Sequence, residues 1–252
     1  MKKKFKSAYL LLSSILVSII SLPFAFAKSA TGAKLFFHPA DSTKKSATVS
    51  MGLAPVVKSV YDSLHLKISG LSQQAFDYAK KGLEKLTQEG KVNNSSIVTI
   101  ADFSLPSTEK RLFVLDLKNY KVLFNTFVAH GKNSGREWAN SFSNQPFSLK
   151  SSPGFYITHE TYSGHNGYSM KLEGVEKGIN DNAYERDIVM HGSPYVNQSV
   201  ANAKGYIGRS WGCPAVPAAD AVPIINTLKG GSCLFIYSPD QKYLSHSPVL
   251  NS

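Results

Sequence analysis

The sequence predicts a mainly β fold, a sandwich or barrel with peripheral helices. Short runs of β-branched, aromatic and other apolar residues follow one another from Ile97 onward, and turn residues separate them. These runs do not alternate regularly with helices, as the strands of a doubly wound parallel sheet would. With 252 residues and 42% hydrophobic content, the chain is large enough to bury one full core, so we expect a single main domain.

Seven runs are predicted as strands of a mainly antiparallel set. Lys118-Asn119-Tyr120 has the composition of a hairpin turn between the second and the third run. The predicted strands are Ile97–Phe103, Arg111–Leu117, Lys121–Ala129, Gly154–Tyr162, Tyr168–Glu173, Ile188–His191 and Cys233–Tyr237.

Two helices are predicted outside the strand set. A short apolar segment at Val56–Leu66 precedes the first helix. Ser72 is placed to cap this helix, and Gly90 ends it. Because an apolar stripe of this length is marginal alone, we expect this helix to pack on the sheet. The second helix is predicted at Ala218–Leu228, before Gly230. The stripe of the first helix consists of Ala75, Phe76, Ala79, Leu83 and Leu86.

Residues 1–27 are typical of a secretory signal peptide. Four lysines precede the apolar run Ala8–Phe26, which ends in the small-residue pattern Ala25-Phe26-Ala27. The alternative is an uncleaved anchor, since the run is nearly long enough to span a bilayer. Its serines and its ending favour removal, so we expect an exported protein in the periplasm or cell-wall space, without a stable membrane anchor after cleavage. Residues 28–52, rich in Ser, Thr, Lys and Ala, are predicted to be a flexible linker.

The net charge of +11 does not predict a nucleic-acid-binding protein. Four of the positive charges belong to the predicted leader, and the other lysines are scattered without forming a basic stripe. Export would also separate the chain from nucleic acid.

The chain contains two cysteines, Cys213 and Cys233. In an oxidising compartment a pair of cysteines commonly forms a disulfide, which is one interpretation. Cys233, however, lies in a predicted buried strand. Cys213 lies in the loop Ser210-Trp211-Gly212-Cys213-Pro214, and a disulfide would consume its thiol. We therefore predict two free thiols, with Cys213 exposed and Cys233 buried.

The loop around Cys213 has the composition of a nucleophile site. A thiol reacts as the thiolate and needs a base, and His191 lies 22 positions upstream. Gly212 leaves the backbone amides free to face an oxyanion, and Ser210 adds a hydroxyl. Taken singly, Cys213 and His191 would more often be a buried thiol and a core histidine. Their clustering favours a catalytic site.

At these residues the sequence resembles the L,D-transpeptidases of bacterial cell walls with a YkuD-type catalytic domain. The signature of that family is His followed by Gly or Ser and, after a spacer, Ser-x-Gly-Cys; here it is His191-Gly192 and Ser210–Cys213. The resemblance extends over roughly residues 57–239, to the branch known as the murein L,D-transpeptidase catalytic domain. Three further stretches carry it, Ala129–Gly135, Phe142–Asn144 and Ser151–Tyr156, together with Gly208–Val216.

The resemblance implies a β-sandwich-like or barrel-like catalytic domain. We assign this domain to residues 96–240. A helical segment at 53–95 is expected to pack on it, and a C-terminal tail at 241–252 to follow it.

The resemblance also implies an activity. Cys213 would attack the carbonyl between the third residue, a diamino acid, and the terminal D-residue of a peptidoglycan tetrapeptide stem. The acyl group would then pass to an amine of a second stem, or to water in an L,D-carboxypeptidase, and the sequence leaves both open. The backbone carbonyl that commonly orients the histidine maps to Gly192. Stem peptides as donor and acceptor, sensitivity to carbapenems and the lack of a cofactor follow from the same resemblance.

Two positions depart from the family pattern. Trp211 stands where many members have His, and Ala215 stands where they usually have Arg or Asn. Recognition of the substrate carboxylate by that Arg or Asn therefore cannot be transferred to this chain. Arg186 and Arg209 are candidate replacements, because arginine grips a carboxylate with two donors.

Two further substrate-binding candidates are Trp211 itself and His130. Because Gly131 follows His130 as Gly192 follows His191, it offers an equivalent backbone carbonyl, and His130 is therefore also the competitor of His191 for the role of base.

The sequence leaves two other classes of function to weigh. A metal peptidase would draw on His130, His159, His165 and His191 with Asp181 and Asp187, but none forms a compact pattern such as H-E-x-x-H. We therefore predict no metal site. A non-catalytic wall-binding module is the other alternative. Loss of turnover on alkylation of the thiol, with no loss on addition of chelators, would separate the three classes.

Overall fold

Eight strands form one mixed sheet in the computed structural model, which describes residues 58–251. The order of the strands across the sheet is β3-β2-β1-β8-β4-β5-β6-β7. Their bounds are β1 Asn94–Asp102, β2 Leu112–Asp116, β3 Lys121–Thr126, β4 Gly154–Gly164, β5 Gly167–Gly174, β6 Val189–Ser193, β7 Ala215–Pro217 and β8 Ser232–Tyr237.

The sheet curls until its two outer strands nearly meet. Beyond the end of β3, the N–H of Ala129 donates to the carbonyl of Ala215 in β7 at 2.8 Å. Of the neighbouring strand pairs, β1·β8 and β6·β7 are parallel, and the other five are antiparallel. The predicted mainly β, barrel-like fold is therefore confirmed.

Five helices surround the sheet in residues 58–251. The hydroxyl of Ser72 accepts a hydrogen bond from the N–H of Ala75 at 3.1 Å, so the predicted cap is the cap observed. The observed α4 has the predicted bounds. The helices are α1 Val60–Ser63, α2 Gln73–Gln88, α3 Gln198–Lys204, α4 Ala218–Leu228 and α5 Gln241–His246.

Helix α2 packs its apolar face on one side of the sheet. Phe155 of β4 and Phe235 of β8 stack there, with their ring centroids 4.1 Å apart. Gly82 of α2 lies directly over Phe155, and a Cβ atom at position 82 would come within 2.1 Å of the ring. The helix thus approaches the sheet more closely than any residue with a side chain would permit.

Helix α4 packs on the other side, against β5, β6 and β7. Ile224, Ile225 and Leu228 of α4 are fully buried there. Gly192 of β6 faces the start of this helix, and a Cβ atom at position 192 would lie 2.8 Å from the Cβ of Ala221. This contact fixes the end of β6, which carries His191.

The C-terminal residues 241–252, predicted to be a tail, are instead packed on the domain as far as they are described. They begin with α5, and Tyr243, Val249 and Leu250 are buried in the same core as α2. The hydroxyl of Tyr243 donates to the buried carboxylate of Glu176 at 3.1 Å. The apolar residues of this segment are too few and too widely spaced to signal this packing in the sequence.

Several predictions lie outside the described residues: the signal peptide at 1–27, the linker at 28–52 and the first residues of the helical segment. Within residues 58–251, no helix has the length and apolar character needed to cross a membrane.

Candidate active site

The loop that carries Cys213 is held against the loop that follows His130. The N–H of Ser210 donates to the carbonyl of His130 at 3.0 Å, and the N–H of Lys132 donates to the carbonyl of Ser210 at 2.7 Å. A third contact passes through Ser151, whose hydroxyl accepts from the N–H of Gly131 and donates to the carbonyl of Gly212, each at 3.0 Å. The backbone around the nucleophile candidate is therefore fixed on both sides.

Ser210 closes the turn that leads to Cys213. Its hydroxyl donates to the carbonyl of Cys213 at 2.6 Å and accepts from the N–H of Gly212 at 3.1 Å. Both bonds are to the backbone, so this side chain shapes the turn, as a serine in a tight turn commonly does.

Gly212 has a backbone conformation and an environment that require glycine. Its φ is +132°, a region that other residues rarely adopt. A Cβ atom there would lie 2.8 Å from the carbonyl oxygen of Lys150 and 2.8 Å from the Cδ1 of Ile188. The close approach of these groups places Cys213 against the start of β6.

Cys213 is buried, with 9% of its surface exposed, so the prediction of an exposed thiol is wrong. The loop folds back onto the segment before β6. There the N–H of Val189 donates to the sulfur at 3.5 Å, and the thiol points to the carbonyl of Asp187 at 3.6 Å. Burial raises the pKa of the thiol, although the Val189 N–H and the charge of Arg186 oppose this. In the resting structure the sulfur is therefore a protonated thiol.

His191 lies near the end of β6, and the β6·β7 ladder pairs it with Ala215, two residues after Cys213. Its Nδ1 lies 3.0 Å from the carbonyl of Gly192. Because a carbonyl can only accept, Nδ1 carries the proton and Nε2 holds the free lone pair. Burial lowers the pKa of the ring, with partial opposition from the Gly192 carbonyl, so the imidazole is neutral and able to accept a proton. Within residues 58–251, Nε2 has no hydrogen-bond partner.

Arg186 lies beside the cysteine loop and is largely occupied by protein acceptors. Its Nη1 donates to the carbonyl of Ser143 at 2.9 Å and to the hydroxyl of Ser152 at 2.8 Å. Its Nη2 donates to the carbonyl of Lys150 at 2.7 Å and to the hydroxyl of Ser148 at 3.3 Å. Four of its five N–H donors are thus engaged. This half-buried guanidinium ties the 143–152 loop to the active site and places a positive charge near the sulfur.

His130 is fully buried, and its Nδ1 lies 2.8 Å from the Nη2 of Arg111. Since the guanidinium can only donate, Nδ1 is the acceptor and the ring is neutral. Burial and the charge of Arg111 lower its pKa to about 3. The structure places this ring in the interior, behind the loops that it supports through its carbonyl.

Arg209 and Trp211 lie on the outside of the same loop. Nη1 of Arg209 donates to the carbonyls of Lys132 at 3.1 Å and Gly135 at 2.9 Å. The side chain of Trp211 is 76% exposed, although it directly precedes Gly212.

Sequence reasoning missed three groups that shape this site: Ser151, Val189 and Arg111. Val189 acts through its backbone N–H and Arg111 lies in the interior, and the sequence holds no signal for such contacts. Ser151 falls in one of the stretches that carry the family resemblance, which was the one available indication.

Among residues 58–251, no three His, Cys, Asp or Glu side chains lie close enough together to hold a metal ion. His159 lies on the exposed part of β4 and pairs with Glu173 at 2.6 Å. Cys213 and Cys233 are both free thiols and belong to the cores on opposite faces of the sheet.

Most of this chain matches a known protein family. The family model YkuD_2, described as L,D-transpeptidase catalytic domain, matches residues 67–237. No curated protein matches the chain.

Solved structures similar to this chain include three L,D-transpeptidases. The enzyme from Mycobacterium smegmatis is 12% identical with a TM-score of 0.36, and the match covers 57% of this chain and 59% of that chain. L,D-transpeptidase 1 from Mycobacterium tuberculosis is 13% identical with a TM-score of 0.31, and the match covers 57% of this chain and 62% of that chain. The enzyme from Stackebrandtia nassauensis is 14% identical with a TM-score of 0.35, and the match covers 75% of this chain and 72% of that chain. The chain thus spans about three fifths of the length of the two mycobacterial structures.

Proposed function

Because this chain belongs to the L,D-transpeptidase catalytic domain family, we propose that it is an acyltransferase that uses Cys213 to act on peptidoglycan stem peptides. One observation carries the assignment of the residues: the Gly192 carbonyl holds His191 as the tautomer whose Nε2 can accept a proton. The parallel β6·β7 ladder brings this histidine beside the segment that follows Cys213. A neutral imidazole and a neutral thiol are the two partners that a proton transfer requires.

In the first step, the Cys213 thiol gives its proton to Nε2 of His191. The sulfur leaves the carbonyl of Asp187 and attacks the peptide carbonyl between the third residue and the terminal D-residue of a tetrapeptide stem. Forming the carbon–sulfur bond moves an electron pair onto the carbonyl oxygen. Among residues 58–251, the amide of Trp211 has no protein acceptor and the amide of Cys213 interacts only with its own sulfur, so we assign both to stabilise this oxyanion once the sulfur attacks.

In the second step, the oxyanion collapses and the carbon–nitrogen bond breaks. The leaving amine of the D-residue takes the proton from His191, and a thioester remains on Cys213. An amine of a second stem then attacks the thioester and gives a proton to Nε2. The sulfur departs, takes this proton back and restores the resting thiol, so the cycle balances without a cofactor.

The charge of Arg186 favours the thiolate that appears in each half of the cycle. Burial opposes the thiolate in the resting structure, and the nearby guanidinium partly offsets this. Substrate binding to a buried thiol would also exclude water, which favours transfer to an amine over hydrolysis. Export to the periplasm or cell-wall space, where peptidoglycan is found, belongs to the same proposal.

Mass spectrometry of muropeptides incubated with the purified protein tests this proposal. We expect loss of the terminal D-residue from tetrapeptide stems and the appearance of cross-linked stems. Tripeptide stems alone would identify an L,D-carboxypeptidase, and unchanged muropeptides would contradict both activities. Cys213→Ala should abolish turnover with the fold intact, whereas Cys233→Ala, the matched control, should affect only packing. Turnover by Cys213→Ala would overturn the assignment of the nucleophile.

A further inference from the structure

Two arginines, Arg136 and Arg209, converge on the ring of Tyr206. Their guanidinium carbons lie 4.9 Å and 5.4 Å from the centroid of this ring. Among the residues that the structure describes, neither guanidinium is within salt-bridge distance of a carboxylate. The site therefore brings together two positive charges that no acidic side chain neutralises.

The guanidinium of Arg209 is held in one orientation by its inner nitrogen. Nη1 donates both of its hydrogens to backbone carbonyls, those of Lys132 and Gly135. Nε and Nη2 have no acceptor within residues 58–251, and these two nitrogens form the edge that binds a carboxylate with two parallel hydrogen bonds. Arg186 differs, because both of its terminal nitrogens are already used by protein acceptors.

An anion would stabilise this arrangement. The face of an aromatic ring attracts each guanidinium, but it does not cancel the repulsion between two like charges that share it. Tyr206 and Arg209 are half-buried, whereas Arg136 is exposed, so solvent screens the repulsion between the two guanidinium groups only in part. An anion beside Arg209 would neutralise charge and satisfy the free donors at the same time.

The site is attached to the cysteine loop. Arg209 directly precedes Ser210, whose backbone and side chain fix the turn to Cys213. Arg209 is also close enough to the buried His130 to contribute to lowering the pKa of that ring. A ligand held by Arg209 therefore lies on the same rigid pair of loops as the nucleophile.

The position that carries Arg or Asn in many relatives cannot serve this purpose here. Ala215 is fully buried in β7, where its backbone pairs with His191 on one side and with Ala129 on the other. A long charged side chain at this position would enter the core rather than the substrate cleft.

We propose that Arg209, supported by Tyr206 and Arg136, binds a carboxylate of the stem peptide. This inference rests on the proposed function and specifies how the same site recognises its substrate. The peptide is favoured over a phosphate-bearing polymer because the free edge of Arg209 matches a planar carboxylate and lies on the loop of the nucleophile.

Binding measured without turnover tests this subsite. The protein carries Cys213→Ala, and the ligands are a tetrapeptide stem with free carboxylates and the same peptide with its carboxylates amidated. We expect amidation to weaken binding, and Arg209→Gln to weaken binding of the acidic peptide by about tenfold or more while leaving the amidated peptide unaffected. Arg209→Lys keeps the positive charge but loses the two parallel N–H donors, so it should restore only part of the affinity.

Two further variants separate the site from general charge effects. Arg136→Gln should weaken binding of the acidic peptide less than Arg209→Gln does. Lys242→Gln removes an exposed positive charge from α5, which packs in the same core as α2, and should have no effect.

The subsite is overturned if Arg209→Gln and Lys242→Gln behave alike, or if both peptides lose affinity equally. It is also overturned if inorganic phosphate competes for Arg209 while amidation of the peptide changes nothing. Failure of the proposed function would look different: the wild-type protein would bind the acidic peptide through Arg209 without converting it.

Discussion

Replacing Gly212 by alanine perturbs the candidate active site at the residue that precedes Cys213, the proposed nucleophile. The new Cβ atom would lie 2.8 Å from the carbonyl oxygen of Lys150. That carbonyl cannot retreat freely, because Arg186 donates to it at 2.7 Å. The loop must therefore move instead, and Cys213 moves with it.

The expected cost has two parts. Alanine at a φ of +132° incurs backbone strain of about 1–3 kcal/mol. The contacts with Lys150 and Ile188 add roughly 1–3 kcal/mol of overpacking. We therefore expect the free energy of unfolding of Gly212→Ala to fall by roughly 2–6 kcal/mol. Because a displacement of the reacting atom by about 1 Å can cost about 100-fold in rate, acylation of Cys213 should slow by about that factor.

The matched control is Gly205→Ala at the C-terminal end of α3. Gly205 also has a positive φ, +73°, but a Cβ atom there would meet nothing within 4 Å. This variant isolates strain from contact, and we expect it to lose about 1 kcal/mol while keeping the acylation rate. Urea unfolding gives the stabilities, and intact-mass spectrometry of the carbapenem adduct gives the rates. Equal losses of stability in both variants, with normal acylation of Gly212→Ala, would refute the reasoning.

Two further predictions concern the histidines and the thiols. His191→Gln should slow acylation of Cys213 by a carbapenem by about 100-fold or more. His130→Gln should lower the stability of the protein and leave acylation measurable. The reverse result would assign the role of base to His130. Since burial raises the pKa of Cys213 above its ordinary value of 9.0, alkylation of the native protein by iodoacetamide should be slow at neutral pH and accelerate as the pH rises above 9. Burial also raises the pKa of Cys233, to about 12, and leaves none of its side chain exposed, so native protein should yield one adduct and denatured protein two. A thiol that alkylates rapidly at pH 6 would contradict this.

The sequence predicted the parts of the fold in which local pattern and tertiary packing agree. The strands from β1 to β6, the cap at Ser72 and the bounds of α4 are examples, because apolar periodicity and turn residues mark each of them. Strand β7 was missed because three residues, Ala215–Pro217, carry no periodicity, and only pairing with β6 makes them a strand. Helix α3 was missed because its seven residues are mostly polar or small and only Ala201 among them is buried.

The candidate site was predictable in its chemistry but not in its accessibility. The residue types around Cys213 and His191 indicated a nucleophile and a base, and the Gly192 carbonyl lies where the family resemblance put the orienting group. The burial of Cys213 depends on how Gly212 packs against Lys150 and Ile188, which are distant in the sequence. The interior position of His130 depends likewise on Arg111, which lies 19 residues upstream.

The buried, protonated state of Cys213 has a consequence for how easily its sulfur is oxidised. Peroxides and disulfides react with the thiolate, and they react far more slowly with a neutral thiol that solvent barely reaches. A resting sulfur held between the amide of Val189 and the carbonyl of Asp187 is therefore resistant to sulfenic acid formation. Cys233, on the opposite face of the sheet, is not placed to form a disulfide with it. Under the proposed mechanism, reactivity would arise only when a substrate displaces the sulfur from its resting contacts, so Cys213 would be preserved between turnovers.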